Sequence, residues 1–226
     1  LLNLGHKVKV LSFHSKKHPC KIENLPQKYK DETDFETVFV DLDIKPLPAL
    51  TAWLTGESYH VKRFINQQMK NKLAEILKKE EFDIVQMESI FLTPYVPLVR
   101  KLSKAKIVLR SPNVENMIWK RTYKATKNPL KRYYLKHLAL TLEYYEKENI
   151  NQYDAIFPVT DVDANYFIEN GYRKLCKAVA VGIETPEFIP DVLEEENSIF
   201  HIGSMNWFPN EQGIKWFLES CWKAVK

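Results

Sequence analysis

Short apolar runs alternate with helical patterns along most of the chain. The runs predict strands at residues 8–13, 37–42, 83–87, 106–110, 155–159, 177–181 and 198–202. Several are continuous rather than alternating, which is typical of a sheet covered on both faces. Strands separated by helices indicate parallel βαβ units. The sequence therefore predicts an α/β fold built on a doubly wound parallel sheet.

Three helices are predicted between these strands. The first spans residues 59–79, where apolar residues repeat in steps of four: Val61, Ile65, Met69, Leu73 and Leu77. The second spans residues 130–149, with Leu130, Tyr134, Leu138 and Leu142 on one face. The third is short, covers residues 161–170, and is followed by Gly171 as a stop.

Two polar stretches interrupt the pattern. Residues 15–35 are rich in lysine and are predicted to form a surface loop. Residues 186–197 are acidic, contain two prolines and are predicted to link two domains. We expect one domain over residues 1–185, the linker over 186–197, and the first strand and helix of a second domain over 198–226.

Composition narrows the class of protein. The 226 residues are 45% hydrophobic and 27% charged, as in ordinary globular chains, and a net charge of +4 is too small to indicate nucleic acid. The three cysteines show no C-x-x-C spacing. We therefore expect neither a disulfide framework nor a metal site.

Candidate binding residues follow the predicted strands, because ligands in such sheets bind outside the carboxyl ends of the strands. Glu88 ends one strand, and Arg110, Asn113 and Glu115 follow another. Carboxylate and amide groups pair with sugar hydroxyls, and arginine pairs with phosphate or carboxylate. A structural ion pair between Arg110 and Glu115, and a helix-capping role for Glu88, are the alternatives.

A second candidate lies at residues 200–217, where an apolar run, a glycine-bearing loop and a helical pattern follow one another. Such a junction directs backbone N–H groups and a helix N-terminus at one point, which suits a phosphate. The residues assigned to this phosphate side are Gly203, Ser204, Met205, Asn206 and Asn210.

Residues 116–142 contain no acidic side chain, and acids return at Glu143, Glu146 and Glu148. In a helix, bases near the N-terminal end and acids near the C-terminal end oppose the dipole. One hypothesis is contact with an anionic surface, either lipid head groups or a diphosphate-linked acceptor; the alternative is a solvated basic face. The run has seven cations: Lys136, and the six assigned to this contact, Lys120, Arg121, Lys124, Lys127, Lys131 and Arg132. A nucleic-acid partner is not expected, since no RNA- or DNA-binding motif accompanies the run.

Three segments together resemble family 4 (group 1) glycosyltransferases. They are Phe-Asp-Ile-Val-Gln-Met-Glu at 82–88, Arg-Ser-Pro-Asn-Val-Glu at 110–115 followed by Trp-Lys-Arg at 119–121, and Gly-Ser-Met-Asn-Trp-Phe-Pro-Asn from 203. The resemblance runs from about Gly5 to Phe217. It implies the GT-B fold, in which two Rossmann-like domains face each other across a cleft.

The resemblance implies a retaining transfer of sugar from a nucleotide-diphosphate sugar to a saccharide or lipid-linked acceptor, in polysaccharide biosynthesis. It places Glu88, Arg110, Asn113 and Glu115 on the acceptor side and requires no metal or cofactor. Pro112 stands where relatives usually carry a histidine, so the catalytic residues are left unassigned. The location is expected from other features: the three cysteines fit reduced thiols in a cytosolic protein, and the basic run would contact the inner face of the membrane.

The resemblance also places a first strand and its glycine-rich loop before Gly5, and the donor-binding glutamates after Lys226. On that view the chain alone is expected to be inactive. The alternative function is a non-catalytic module that holds a sugar phosphate or a protein on the same fold, with Pro112 as its main support.

Overall fold

The computed structural model describes residues 1–182, 198–205 and 208–225. The chain divides into two compact units, Leu1–Gly182 and Ile183–Lys226. The first unit contains six strands: β1 (Leu11–His14), β2 (Glu36–Phe39), β3 (Ile84–Met87), β4 (Lys106–Ser111), β5 (Ala155–Pro158) and β6 (Leu175–Cys176). All of their pairings are parallel. The architecture is α/β with parallel sheets.

Helices connect the strands. In the first unit they are α1 (Gln27–Thr33), α2 (Pro46–Thr55), α3 (Tyr59–Lys62), α4 (Gln67–Lys79), α5 (Val96–Leu102), α6 (Glu115–Ala125), α7 (Pro129–Asn149) and α8 (Asp161–Glu169). The described part of the second unit contains α9 (Phe208–Ser220) and α10 (Trp222–Val225).

The described strands form two sheets rather than the single sheet that was predicted. One has the order β1-β2, and the other has the order β3-β4-β5-β6. Both sheets contribute to one core, in which Val38 of β2 packs in the same cluster as Leu109 of β4 and Ile156 of β5. Parallel pairing is confirmed, whereas one continuous doubly wound sheet is not seen in the described residues.

The predicted helix over residues 59–79 is two helices. Its first part ends at Lys62, and its second part begins at Gln67. Asn66 caps the second helix, because its side chain accepts a hydrogen bond from the backbone N–H of Met69 at 3.0 Å. A capping asparagine competes with helix continuation. Ile65, placed in the core stripe by its spacing, is instead half exposed.

The buried face of α7 also differs from the predicted one. Leu138 and Leu142 are buried, but Leu130 is 82% exposed and Tyr134 is exposed. An α-helix has 3.6 residues per turn, so a stripe in steps of four drifts around the axis. The residues that face the core follow mixed steps: Leu135, Leu138, Ala139, Leu142 and Glu146.

Three further predictions need correction. Residues 15–35 are not all loop, since they contain α1. Residues 198–202 are described and form no strand. The last strand of the first unit is β6, earlier than residues 177–181, although the N–H of Val179 still donates to the carbonyl of Pro158 at 2.7 Å. The predicted linker at 186–197 lies outside the described residues.

Strand β4 provides a direct test of this core. Leu109 is fully buried, so Leu109→Ala removes packed side-chain volume and should lower the free energy of unfolding by about 3 kcal/mol. Leu175→Ala is the control, since Leu175 on β6 is 59% exposed and should lose no more than about 0.5 kcal/mol. Urea denaturation followed by circular dichroism measures both. Equal losses would contradict this assignment of the core.

Candidate functional site

Two oppositely charged side chains meet at the carboxyl ends of β3 and β4. The strands pair in parallel with Met87 opposite Leu109, so the next residues, Glu88 and Arg110, are neighbours. Nη1 of Arg110 lies 2.8 Å from Oε2 of Glu88, and both side chains are partly open to solvent. Gln86 donates to the other carboxylate oxygen of Glu88. The carboxyl edge thus presents an accessible carboxylate and guanidinium side by side.

The contacts of Arg110 and Glu88 differ from both structural alternatives given for these residues, an Arg110–Glu115 ion pair and helix capping by Glu88. In the described residues Arg110 forms its ion pair with Glu88 rather than with Glu115. Glu88 does not cap the following helical turn, because Ser89 does so by accepting from the N–H of Phe91 at 3.2 Å. The ion pair is weak in itself, since exposed pairs contribute about 0–1 kcal/mol. A ligand can therefore displace it at little cost.

The loop after β4 brings the other predicted acceptor-side residues to this edge. The buried hydroxyl of Ser111 donates to the carbonyl of Asn113 at 2.7 Å and closes a tight turn. Pro112 and Asn113 are exposed at its tip, while Val114 is buried beneath it. Helix α6 begins at Glu115. A short, anchored loop of Pro112, Asn113 and Val114 therefore joins β4 to α6.

Glu115 differs electrostatically from Glu88. Burial raises the pKa of the Glu115 carboxyl to about 6. A carboxyl group that titrates near neutral pH can both accept and donate a proton under physiological conditions. Shifted carboxyl groups at the carboxyl end of a sheet are common at functional sites.

Residues missed by the sequence analysis hold this loop in place. Glu146 of α7 is 2% exposed and accepts hydrogen bonds from the backbone N–H of Asn116, at 3.3 Å, and from its side-chain amide. The same amide also donates to the hydroxyl of Tyr166 at 2.7 Å. These contacts fix the first turn of α6 against α7. The sequence did contain a sign of this role: Glu146 lies at helical spacing from Leu135, Leu138 and Leu142, so it shares their apolar face.

Burial raises the pKa of Glu146 to about 7, with smaller contributions from the charges of Glu115 and Glu143; the hydrogen bonds from Asn116 oppose this shift. The carboxyl group is therefore poised between its neutral and ionised forms near neutral pH. Its ionisation would change the charge directly behind the loop that carries Glu115.

The predicted phosphate-side residues lie in the second unit, where the helix α9 is present but the strand is not. A Cβ on Gly203 would come within 2.7 Å of Nδ2 of Asn210 and of Nε2 of His201, so a larger residue would require these two side chains to move. Asn210 donates to the carbonyl of Ser204 at 3.0 Å and thus orders the loop. Met205 is half exposed. Asn206 lies outside the described residues.

The cationic run is divided between two helices, because Asn128 caps α7 by accepting from the N–H of Lys131 at 2.9 Å. The unfavourable order of charge persists on α7, whereas the cations of α6 lie toward its C-terminal end, where they are favourable. Lys120 bonds Glu143 at 2.8 Å. In the described part of the chain the remaining predicted cations are exposed and form no ion pair: Arg121, Lys124, Lys127, Lys131 and Arg132.

A cavity of about 240 Å³ lies beyond the carboxyl end of β2 and was also missed. Charged side chains of its lining form ion pairs: Asp41 with Lys45 at 3.0 Å, and Lys62 with Glu57, which lies outside the lining, at 2.6 Å. Arg63 donates to the carbonyl of Leu42 at 2.9 Å. These groups order the segment that follows β2, so the cavity does not compete with the β3–β4 edge as a site.

Among residues 1–182, 198–205 and 208–225, no cluster of three His, Cys, Asp or Glu side chains could bind a metal. Within the same residues no helix is sufficiently long and apolar to cross a bilayer. No protein-family model, curated protein or solved structure matches the chain.

Glu146 makes stability depend on pH in a defined direction. Its folded-state pKa of about 7 exceeds the value of 4.5 for an unburied glutamate, so the folded state holds the proton more tightly. The contribution of this group to the free energy of unfolding therefore falls as pH rises from about 4.5 to about 7. We predict that Glu146→Gln matches the parent at pH 4 and is more stable above pH 7 by up to about 3 kcal/mol.

Glu143→Gln is the matched control for this measurement. Burial opposes ionisation of Glu143, but hydrogen bonds from Lys120 and Lys147 outweigh it and lower its pKa. This group stabilises the fold at neutral pH and loses its effect as pH falls. Glu143→Gln should therefore be less stable than the parent at pH 8. Urea denaturation between pH 4 and pH 8 checks both variants, and the same sign for both would refute the assignment.

Proposed function

We propose that this protein is the acceptor-binding part of a retaining glycosyltransferase similar to family 4. It would move a sugar from a nucleotide-diphosphate sugar to a saccharide or lipid-linked acceptor, in polysaccharide biosynthesis at the cytoplasmic face of a membrane. The observation that carries the proposal is the Glu88–Arg110 pair. These residues belong to two separate segments of the resemblance, and they meet at the edge where such folds bind ligands.

The strand order also supports a Rossmann-like GT-B domain. A doubly wound sheet of this type has the order 3-2-1-4-5-6. The described sheets have the orders β2-β1 and β3-β4-β5-β6, all parallel. They match the two sides of such a sheet, and a single strand between β1 and β3 would join them. This is the position of the first strand that the resemblance expects.

Each residue of the edge has a chemical role in the proposal. Arg110 would release Glu88 and donate charge-assisted hydrogen bonds to a phosphate or carboxylate of the acceptor. Glu88 and Asn113 would accept hydrogen bonds from its hydroxyl groups. Glu115, with its pKa of about 6, would accept or return a proton at an acceptor hydroxyl. The nucleophilic attack of that hydroxyl on the donor sugar would need no metal.

The donor diphosphate is assigned to the second unit. Backbone N–H groups of residues 203–205 and the N-terminus of α9 would stabilise the departing diphosphate, as helix N-termini favour anions. Asn206 and Asn210 would supply amide groups. The loop at 203–212 carries neither lysine nor arginine, so backbone groups would have the larger share.

The test is the affinity of the protein for saccharides and sugar phosphates, measured by isothermal titration calorimetry. We predict that Arg110→Gln weakens binding of an anionic saccharide roughly ten- to a hundredfold, because a charge-assisted hydrogen bond is lost. Arg100→Gln is the control, since Arg100 has the same 38% side-chain exposure and pairs with Asp154 away from this edge. Equal affinities for both variants would refute the proposed site.

The alternative function is a non-catalytic module that uses the same edge to hold a sugar phosphate or a protein partner. The exposed Pro112 favours it, since an imidazole is missing at the tip of the loop. Release of nucleoside diphosphate by the intact gene product distinguishes the two. An enzyme releases it only when donor and acceptor are both present, whereas a binding module releases none.

A further inference from the structure

Helix α2 is largely apolar. It spans Pro46–Thr55, contains no charged residue, and has Thr51 and Thr55 as its polar residues. A helix with so large an apolar surface is normally buried in a protein or in a membrane. Of its ten residues, however, only Ala52 is buried. We therefore expect a surface outside the described part of this chain to cover α2.

The inner face of α2 accounts for its position. Ala52 lies in a cluster with Tyr59, Leu135 and Leu138, and Ala49 packs against that cluster. Trp53 contacts the ring of His137 at a centroid distance of 6.2 Å. The helix is thus attached to α3 and to the middle of α7.

The outer face of α2 carries a row of leucines. Leu47 and Leu54 are each 72% exposed, and Leu50 is 48% exposed. Their spacing of three and four residues places them on one stripe, opposite Ala49 and Ala52. Ile44, just before the helix, is also 72% exposed. Contiguous exposed leucines of this kind mark an interaction surface.

Three of the exposed cations are close in sequence to residues of the cluster that holds Ala52. Tyr123 of α6 packs on the cluster that holds Ala52, and Lys124 follows it. Leu135 of α7 is in the same cluster, and Lys131 lies one helical turn, about 6 Å, before it. Lys127 belongs to the connection between the two helices. We define the docking surface as the outer face of α2 together with these three lysines.

We propose that the docking surface binds an anionic phospholipid bilayer, with the leucines of α2 entering the head-group region and the lysines contacting lipid phosphates. Charge complementarity favours this occupant, because three unpaired cations attract an anionic surface. Apolar side chains beside them gain from burial among acyl chains. RNA would use the cations but not the leucines, and a second copy would bring like charges together. The inference does not depend on glycosyl transfer.

Vesicle sedimentation tests the proposal. The protein is mixed with vesicles of phosphatidylcholine alone, or with vesicles that contain about one third phosphatidylglycerol. We expect binding to the anionic vesicles only, and we expect it to fall steeply with salt, since a Debye length of about 10 Å at 0.1 M screens exposed charges. Equal binding to both vesicles, or binding to neither, overturns the proposal.

Two variants separate the apolar and cationic contributions. Leu47→Ser/Leu54→Ser should weaken binding to the anionic vesicles at least tenfold. Lys124→Gln/Lys127→Gln/Lys131→Gln should weaken it roughly a hundredfold, at about fivefold per charge. The controls change equivalent residues elsewhere: Val162→Ser/Ile168→Ser on α8, and Lys78→Gln/Lys101→Gln/Lys104→Gln. These control residues are also exposed, and the control lysines form no ion pair in the described part of the chain.

The controls should bind vesicles as the parent does, and circular dichroism should show that all variants are folded. If the α2 variant binds as well as its control, the helix does not enter the bilayer and the proposal fails. If sedimentation without lipid shows a dimer that the α2 variant abolishes, a second copy covers the helix and the proposal also fails.

Discussion

Strand β4 is the constraint on which the rest of the first unit depends. It pairs with a parallel neighbour on each side, β3 and β5, and its Ile107 and Leu109 are fully buried. A parallel strand buried on both faces can carry polar residues only where it leaves the sheet. In β4 that point is the pair Arg110 and Ser111. The position of the polar edge is therefore a consequence of where the apolar strand ends.

The segment after β4 connects this edge to the helical hairpin behind it. Asn116 joins the first turn of α6 to Glu146 of α7, so the loop that carries Glu115 is held from below. The same hairpin positions α2 through Leu135 and Leu138. The candidate site and the docking surface thus share one support, and a change in that hairpin would affect both. If a bilayer binds the docking surface, a lipid-linked acceptor in that bilayer is held close to this protein.

The sequence located the central strand most accurately, for a physical reason. The apolar run over 106–110 reflects burial of β4 on both faces, so this strand was predicted nearly to the residue. The runs at 177–181 and 198–202, by contrast, form no strand. Glu88 and Arg110 followed from the ends of such runs. Helix boundaries depend on capping side chains, and Asn66 starts a new helix inside a stretch that the apolar pattern predicted as one. Glu146 was missed because its burial depends on a distant partner, Asn116.

The carboxyl edge of β3 and β4 is proposed to bind a polar acceptor. Nuclear magnetic resonance of the protein during titration with an anionic saccharide tests this, by following backbone amides and the arginine side-chain Nε–H signals. We predict that chemical-shift changes concentrate at Glu88, Arg110 and Asn113, and that the Nε–H signal of Arg110 moves more than that of Arg100. Saturable binding with shifts confined to other parts of the chain would contradict it.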